Sequence, residues 1–133
     1  MFRFINPESL GPARGYSNGV LVPPGGQMLF VAGQIAWDER QRIVSADFVE
    51  QFDRALANVL AVVAEAGGRP DQIARVLIYV TDREEYRRRT REVGLRWRAR
   101  MGRHFPAMAL VEVKGLLEDE AKVEIEAVAV IAD

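Results

Sequence analysis

Glu124 and Glu126 stand two residues apart in Val123-Glu124-Ile125-Glu126-Ala127, and from the residues alone such exposed strand glutamates are ordinarily structural. On an extended strand, residues i and i+2 share a face, so each carboxylate lies close enough to raise the other's pKa. The same spacing also suits two structural glutamates paired with Lys122 or an arginine. Arginine supplies the second signal: residues 83–103 hold nine arginines, Arg91 among them, against three glutamates. A charge run of this kind is ordinarily a solvated, salt-bridged helix face, and that is the expectation for the set. Tyr16, in a glycine-flanked loop, either donates a hydrogen bond or packs as a loop aromatic. Gly33, at the end of an apolar run, either ends a strand or lets the backbone approach a ligand. Cysteine is absent and His104 is the only histidine, which removes thiol nucleophiles, disulfides, thiolate metal sites and paired-histidine zinc. No acidic cluster has calcium-loop spacing, so no metal is expected.

These groups need elements to hold them. A short strand over 2–5 ends at Asn6-Pro7, and residues 7–18 read as an irregular loop. Residues 19–22 form a strand stopped by Pro23-Pro24-Gly25-Gly26, a cluster suited to a hairpin loop before a further strand at 28–32. Ser45 or Asp47 caps a helix running to about residue 66, with Val49, Phe52, Leu56, Val59, Leu60 and Val63 on one face. Gly67-Gly68 ends it. A buried strand over 73–80 follows, then a second helix over 83–101 capped by Asp82, with Tyr86, Thr90, Val93 and Trp97 inward. Two strands, 107–113 and 122–131, close the chain.

The predicted order is β-β-β-α-β-α-β-β, an α+β arrangement of one mixed sheet with two helices on one face. Along the last strand Val123, Ile125, Ala127 and Ala129 point one way, and Lys122, Glu124, Glu126, Val128 and Val130 point the other. That second face mixes charge with aliphatics, which suits burial against another subunit. The 133 residues, 49% hydrophobic and 28% charged, are read as a single folded domain over 1–133. The opening MFRFINPESL lacks the layout of a signal peptide, and no apolar run nears the roughly 20 residues of a membrane helix. A cytoplasmic location is the resulting expectation. A net charge of −1 gives no global field to draw nucleic acid.

The order of elements and several local words resemble the RidA/YjgF family, also described as L-PSP endoribonucleases. Gly15-Tyr16-Ser17-Asn18-Gly19-Val20 is similar to the family's G-P-Y-S-x-A-V region, and Phe30-Val31-Ala32-Gly33-Gln34-Ile35 to its S-G-Q-I. Ala57-Asn58-Val59-Leu60 with Ala64-Glu65-Ala66-Gly67 is similar to its first helix. Phe105-Pro106-Ala107 to Val111-Glu112-Val113, then Val123-Glu124-Ile125-Glu126-Ala127, resembles P-A-R-S…V-E-V…V-E-I-E-A. The resemblance runs in order along nearly the whole chain.

It implies a chorismate mutase-like protomer, a homotrimer, and a small-molecule site at each subunit boundary. It also implies hydrolysis of small imines or enamines to a carbonyl compound and ammonia, without metal or organic cofactor. Such a reaction needs a positioned water, proton transfer and a hold on the substrate. By resemblance Glu124 is the carboxylate that positions water, while Tyr16 and the backbone near Gly33 border the cleft. The family arginine that grips a substrate carboxylate is replaced here by Met108, and the adjacent serine by Ala109. A thioether cannot form the bidentate fork, so a preference for neutral or differently placed polar substrates is expected. Arg91 falls where some relatives place a substrate-proximal asparagine, and Arg91 or Arg14 is a candidate to restore the missing cation. The alternatives are a non-catalytic metabolite-binding trimer and, third, an RNA-binding or endoribonuclease-like protein. No membrane partner is expected, and nucleic acid is disfavoured.

Overall fold

A computed structural model describes residues 1–132. Its framework is a four-stranded mixed sheet built from β3 (Gln27–Gln34), β4 (Ile73–Val80), β5 (Ala107–Glu112) and β6 (Val123–Ile131), in the order β3-β6-β4-β5. β6 runs antiparallel to both of its neighbours, and β4 runs parallel to β5. The alternation read from β6 is realised: Val123, Ile125, Ala127, Ala129 and Ile131 are buried, while the residues between them are only half-buried. The buried set packs with Val76, Ile78 and Val80 of β4 beneath helix α1 (Phe48–Glu65). Phe48, Val49, Phe52, Leu56, Val59 and Val63 line the inner face of that helix.

Of the two candidate caps, Asp47 takes the role. Its carboxylate accepts the Glu50 amide at 3.0 Å, while Ser45 Oγ accepts the Asp47 amide and steadies the cap. At the far end Gly67 adopts φ 83°, its amide donates to Ala64 O, and the Gly68 amide donates to Val63 O at 2.9 Å. That 6→1 and 5→2 pair satisfies the last helical carbonyls.

Two expectations need correction. The helix read over 83–101 is two helices, α2 (Arg83–Arg88) and α3 (Thr90–Met101), separated by Arg89 at φ −106°, ψ 15°. Thr90 Oγ1 donates at 2.9 Å to the carbonyl oxygens of both Tyr86 and Arg87, and so spans the break. In addition, β1 (Arg3–Ile5) and β2 (Gly19–Leu21) do not join the main sheet but pair with each other as a separate two-stranded ribbon. Pro23 and Pro24 lack amide donors and close that ladder before β3 begins, so no hairpin links β2 to β3. The ribbon packs through Phe2 and Phe4, whose rings lie 6.2 and 5.8 Å from His104. His104 is buried; its Nε2–H donates to Ile73 O at 2.6 Å and its carbonyl accepts Trp97 Nε1–H, a structural use of the lone histidine.

Gln51, fully buried on the first turns of α1, was not singled out by the sequence. Its Nε2 donates to Ser45 O and Glu120 O, and its Oε1 accepts the Lys122 amide at 2.8 Å. It therefore ties the loop before α1 to the loop that feeds β6. No helix among the described residues is long and apolar enough to cross a membrane. Gln51→Ala leaves three backbone groups without their partner and is expected to cost about 2–3 kcal/mol. A urea titration checks this, with a lowered midpoint and an unchanged slope as the expected result.

Candidate functional site

Residues 14–17 are fastened beside the start of β5. The Ser17 amide donates to Pro106 O at 3.0 Å, its hydroxyl donates to Phe105 O at 2.6 Å, and Gly15 turns at φ 77° just before. This staple brings Arg14 and Tyr16 to one side of a cleft of about 530 Å³. Met108 lies in its floor. In the parallel ladder Met108 sits beside Val76, a core residue, so its side chain points to the helix side of the sheet and packs against the core. Arg91, Leu95 and Arg98 of α3 form the opposite rim, and Phe105 and Leu110 extend the apolar floor. Tyr16, Met108 and Arg91 are thus brought together. Arg98 was missed as an individual residue, although its seven-residue spacing from Arg91 places both on one helix face.

Gly33 and Glu124 lie elsewhere. Glu124 occupies β6 between the buried Val123 and Ile125, so it points to the open face, the side opposite Met108. β3 bulges between Val31 and Gln34, and at this irregularity the space beside Gly33 is filled by the Glu124 side chain. A Cβ on Gly33 would fall 2.7 Å from Glu124 Cδ and 2.9 Å from its Cγ, inside contact distance. The glycine is the seat of the carboxylate. Glu126, on the same face, is engaged differently: it accepts the Tyr79 hydroxyl at 2.5 Å. That hydrogen bond, with desolvation and the negative charge, pushes the Tyr79 pKa up. Among the described residues Glu124 accepts no comparable hydrogen bond.

The open face also carries exposed apolar groups. Phe30 is 72% and Met28 is 63% exposed, beside Val128 and Val130 of β6 in the ladder. Within the chain the candidate residues therefore form two groups on opposite faces of one sheet.

The arginine run divides the same way. Arg89 donates to Asp47 and Glu92, Arg96 pairs with Glu50 and Asp53, and Arg87 pairs with Glu84. Arg100 meets Asp53 through two bonds, at 2.7 and 3.0 Å. The Arg96 and Arg100 pairs fasten α3 to α1, and for these four arginines the expectation of a salt-bridged face is met. The hydrogen bond from Arg100 leads in holding the Asp53 carboxyl below the usual range, while the Arg89 guanidinium does the same for Glu92. Arg91 and Arg98 are not in these pairs: among the described residues no carboxylate pairs with them or with Arg14.

A larger concavity, about 650 Å³, lies between residues 43–46 and 114–122. It carries both signs of charge, Lys114 and Lys122 with Asp119 and Glu120, and none of the candidate residues reaches it. The smaller, more apolar cleft is therefore the candidate site. Among the described residues, no three His, Asp or Glu side chains converge as a metal site.

The Asp53 pairing carries a pH dependence. A carboxyl with a depressed folded-state pKa contributes stability that is present above its ordinary pKa of 3.8 and lost as pH falls through the depressed value. Asp53→Asn is expected to cost about 1 kcal/mol at pH 7. Thermal melts across pH 7 to 2 should show the gap between variant and wild type closing only at the acid end.

Comparison with known proteins gives a consistent neighbourhood. The family described as Endoribonuclease L-PSP matches residues 7–131. A RutC family protein of Pyrococcus abyssi is 35% identical over 124 residues, 92% of this chain and 89% of that protein. The 2-iminobutanoate/2-iminopropanoate deaminase of Salmonella typhimurium is 34% identical over 127 residues, covering 93% and 91%. Among solved structures, a Rid family protein of unknown function from Yersinia pestis superposes with a TM-score of 0.87 at 29% identity, covering 98% of each chain. The YjgF gene product of Escherichia coli does so with a TM-score of 0.68 at 34% identity, covering 94% and 92%.

Proposed function

The chain belongs to the Endoribonuclease L-PSP family, which is also the RidA/YjgF family, and on that premise we propose a cofactor-free hydrolytic deaminase acting on a small imine or enamine. The observation that carries the reading is the placement of Met108 and Glu124 on opposite faces of one sheet. A protomer cannot bring them to one molecule; a second copy can, by laying its open face beside the first copy's cleft. The proposed working unit is a cytoplasmic homotrimer of single-domain protomers. Each site combines Tyr16, Met108 and Arg91 of one subunit with Gly33 and Glu124 of the next. The exposed Phe30 and Met28 support burial of that face.

In the proposed reaction, water held by Glu124 adds to the carbon of the protonated C=N bond and gives up a proton to the carboxylate, forming a neutral carbinolamine. The carboxyl then passes that proton to nitrogen, the C–N bond breaks to release ammonia, and the carbinolamine hydroxyl gives its proton back to the carboxylate as the carbonyl compound forms. Tyr16 and backbone groups near Gly33 hold polar atoms of the substrate. Met108 makes the cleft apolar where the family pattern places an arginine, which disfavours 2-imino acids gripped at that position.

A non-catalytic metabolite-binding trimer is the second reading, favoured by the same loss of arginine and hydroxyl at Met108 and Ala109. An RNA-directed role is weaker, since Arg87, Arg89, Arg96 and Arg100 are occupied by carboxylates.

Ammonia release from a panel of imines, with and without an adjacent carboxylate, separates the readings. The expected result is turnover of carboxylate-free or differently charged imines, falling at least about 100-fold in Glu124→Gln. Met108→Arg is expected to create 2-imino acid hydrolysis. Equal inactivity on every imine by a folded trimer would sink the catalytic reading in favour of the binding one. Phe30→Glu places a charge in the proposed interface and is expected to give a folded monomer by sedimentation.

A further inference from the structure

Three cations surround an apolar cleft to whose lining this chain itself contributes no acid. Arg14 stands on the loop side, Arg91 and Arg98 stand on the α3 side, and Phe105, Met108 and Leu110 form the floor between them. Seven residues at 1.5 Å rise put Arg91 and Arg98 roughly 10 Å apart along one helix face, with Leu95 between them. Their neighbours on α3 show what these arginines lack: Arg89, Arg96 and Arg100 each reach a carboxylate on α1 or α3. A cluster of like charge that the described residues leave without a counter-ion, along the rim of an apolar concavity, is complementary to an anion with an apolar body. The volume, about 530 Å³, falls within the range of roughly 300–1,000 Å³ typical of small-molecule sites.

We propose that the cleft binds an organic carboxylate with an extended apolar body, its anionic end held by Arg14, Arg91 and Arg98 and its apolar part laid over Met108, Phe105 and Leu110. This deepens the proposed function by naming the substrate class of the same cleft, and it rests on that reading for the cleft's role. The charge is held from the loop and helix rim, not from strand β5. The carboxylate is therefore separated from the reacting carbon by the apolar segment, unlike that of a 2-imino acid. Both the methionine in the floor and the cations on the rim then serve one ligand.

The test is calorimetric titration of the full-length assembled protein with hexanoate and 3-phenylpropanoate, and with their uncharged amides as controls. Each acid is expected to bind about tenfold or more tightly than its amide, the increment of a charge-assisted hydrogen bond. Raising ionic strength should weaken the acids and leave the amides unchanged. Arg14→Ala, Arg91→Ala and Arg98→Ala each remove an exposed side chain and are expected to weaken acid binding about threefold to tenfold, with amide binding unaltered. Acid and amide bound equally, neither bound, or arginine variants that bind acids like wild type would each overturn the inference. Failure of the two readings is distinguishable. Tight, arginine-dependent acid binding with no imine turnover removes the hydrolase and leaves this site standing. Imine turnover with no preference for acid over amide removes this site alone.

Discussion

Strand β6 lies between β3 and β4, and its side chains must alternate between two faces. One face is fixed by the hydrophobic effect: Val123, Ile125, Ala127, Ala129 and Ile131 are the floor on which α1 packs. A slip of one residue would put Glu124 and Glu126 in the core and the aliphatics outside, so the register is strongly determined. Everything on the open face follows from that choice. Glu124 meets the bulge of β3 at Gly33, Glu126 meets the Tyr79 hydroxyl, and Phe30 and Met28 stand exposed beside Val128 and Val130. The apolar edge of the open face is thus a consequence of packing the other side.

The arginine-rich stretch shows how one composition can serve two purposes. α3 rests on α1 through charge as well as through Val93, Trp97 and Met101. A helix with arginine on several sides cannot turn all of them to the same neighbour. The residues nearest α1 find Asp47, Glu50 and Asp53; Arg91 and Arg98 are carried round to the cleft. The break at Arg89 separates α2 from this arrangement, so the capping of α2 by Asp82 and the docking of α3 are satisfied independently.

Much of this architecture was legible in the residues. The period of β6, the apolar stripe of α1 with its Asp47 cap and Gly67 stop, and the bounds of β4 all rest on local patterns that burial then enforces. The broken helix was not legible, because Thr90 fits a helical stripe by spacing and no glycine or proline marks the break at Arg89. Nor was the separate β1–β2 ribbon, since strand pairing is a long-range property and Pro23-Pro24 reads equally as a hairpin loop. For the candidate site, Tyr16, Met108 and Arg91 converge while Gly33 and Glu124 form a second group. Their separation depends on Met108 lying beside Val76 in a parallel pairing that no local word encodes. The role of Gln51 was hidden for a related reason: two of its partners, Glu120 and Lys122, lie 69 and 71 residues further along the chain.

The thickness of the sheet also makes the two groups of residues separable units of change. The lining of the cleft beside Met108 includes neither Gly33 nor Glu124. Substitutions on one side can redraw what the cleft accepts while the carboxylate and its glycine stay as they are. The resemblance to the family divides the same way: Val123-Glu124-Ile125-Glu126-Ala127 is similar to its V-E-I-E-A, while Pro106-Ala107-Met108-Ala109 differs from its P-A-R-S. A fold that keeps Glu124 and the cleft on opposite faces of one sheet lets either change without disturbing the other.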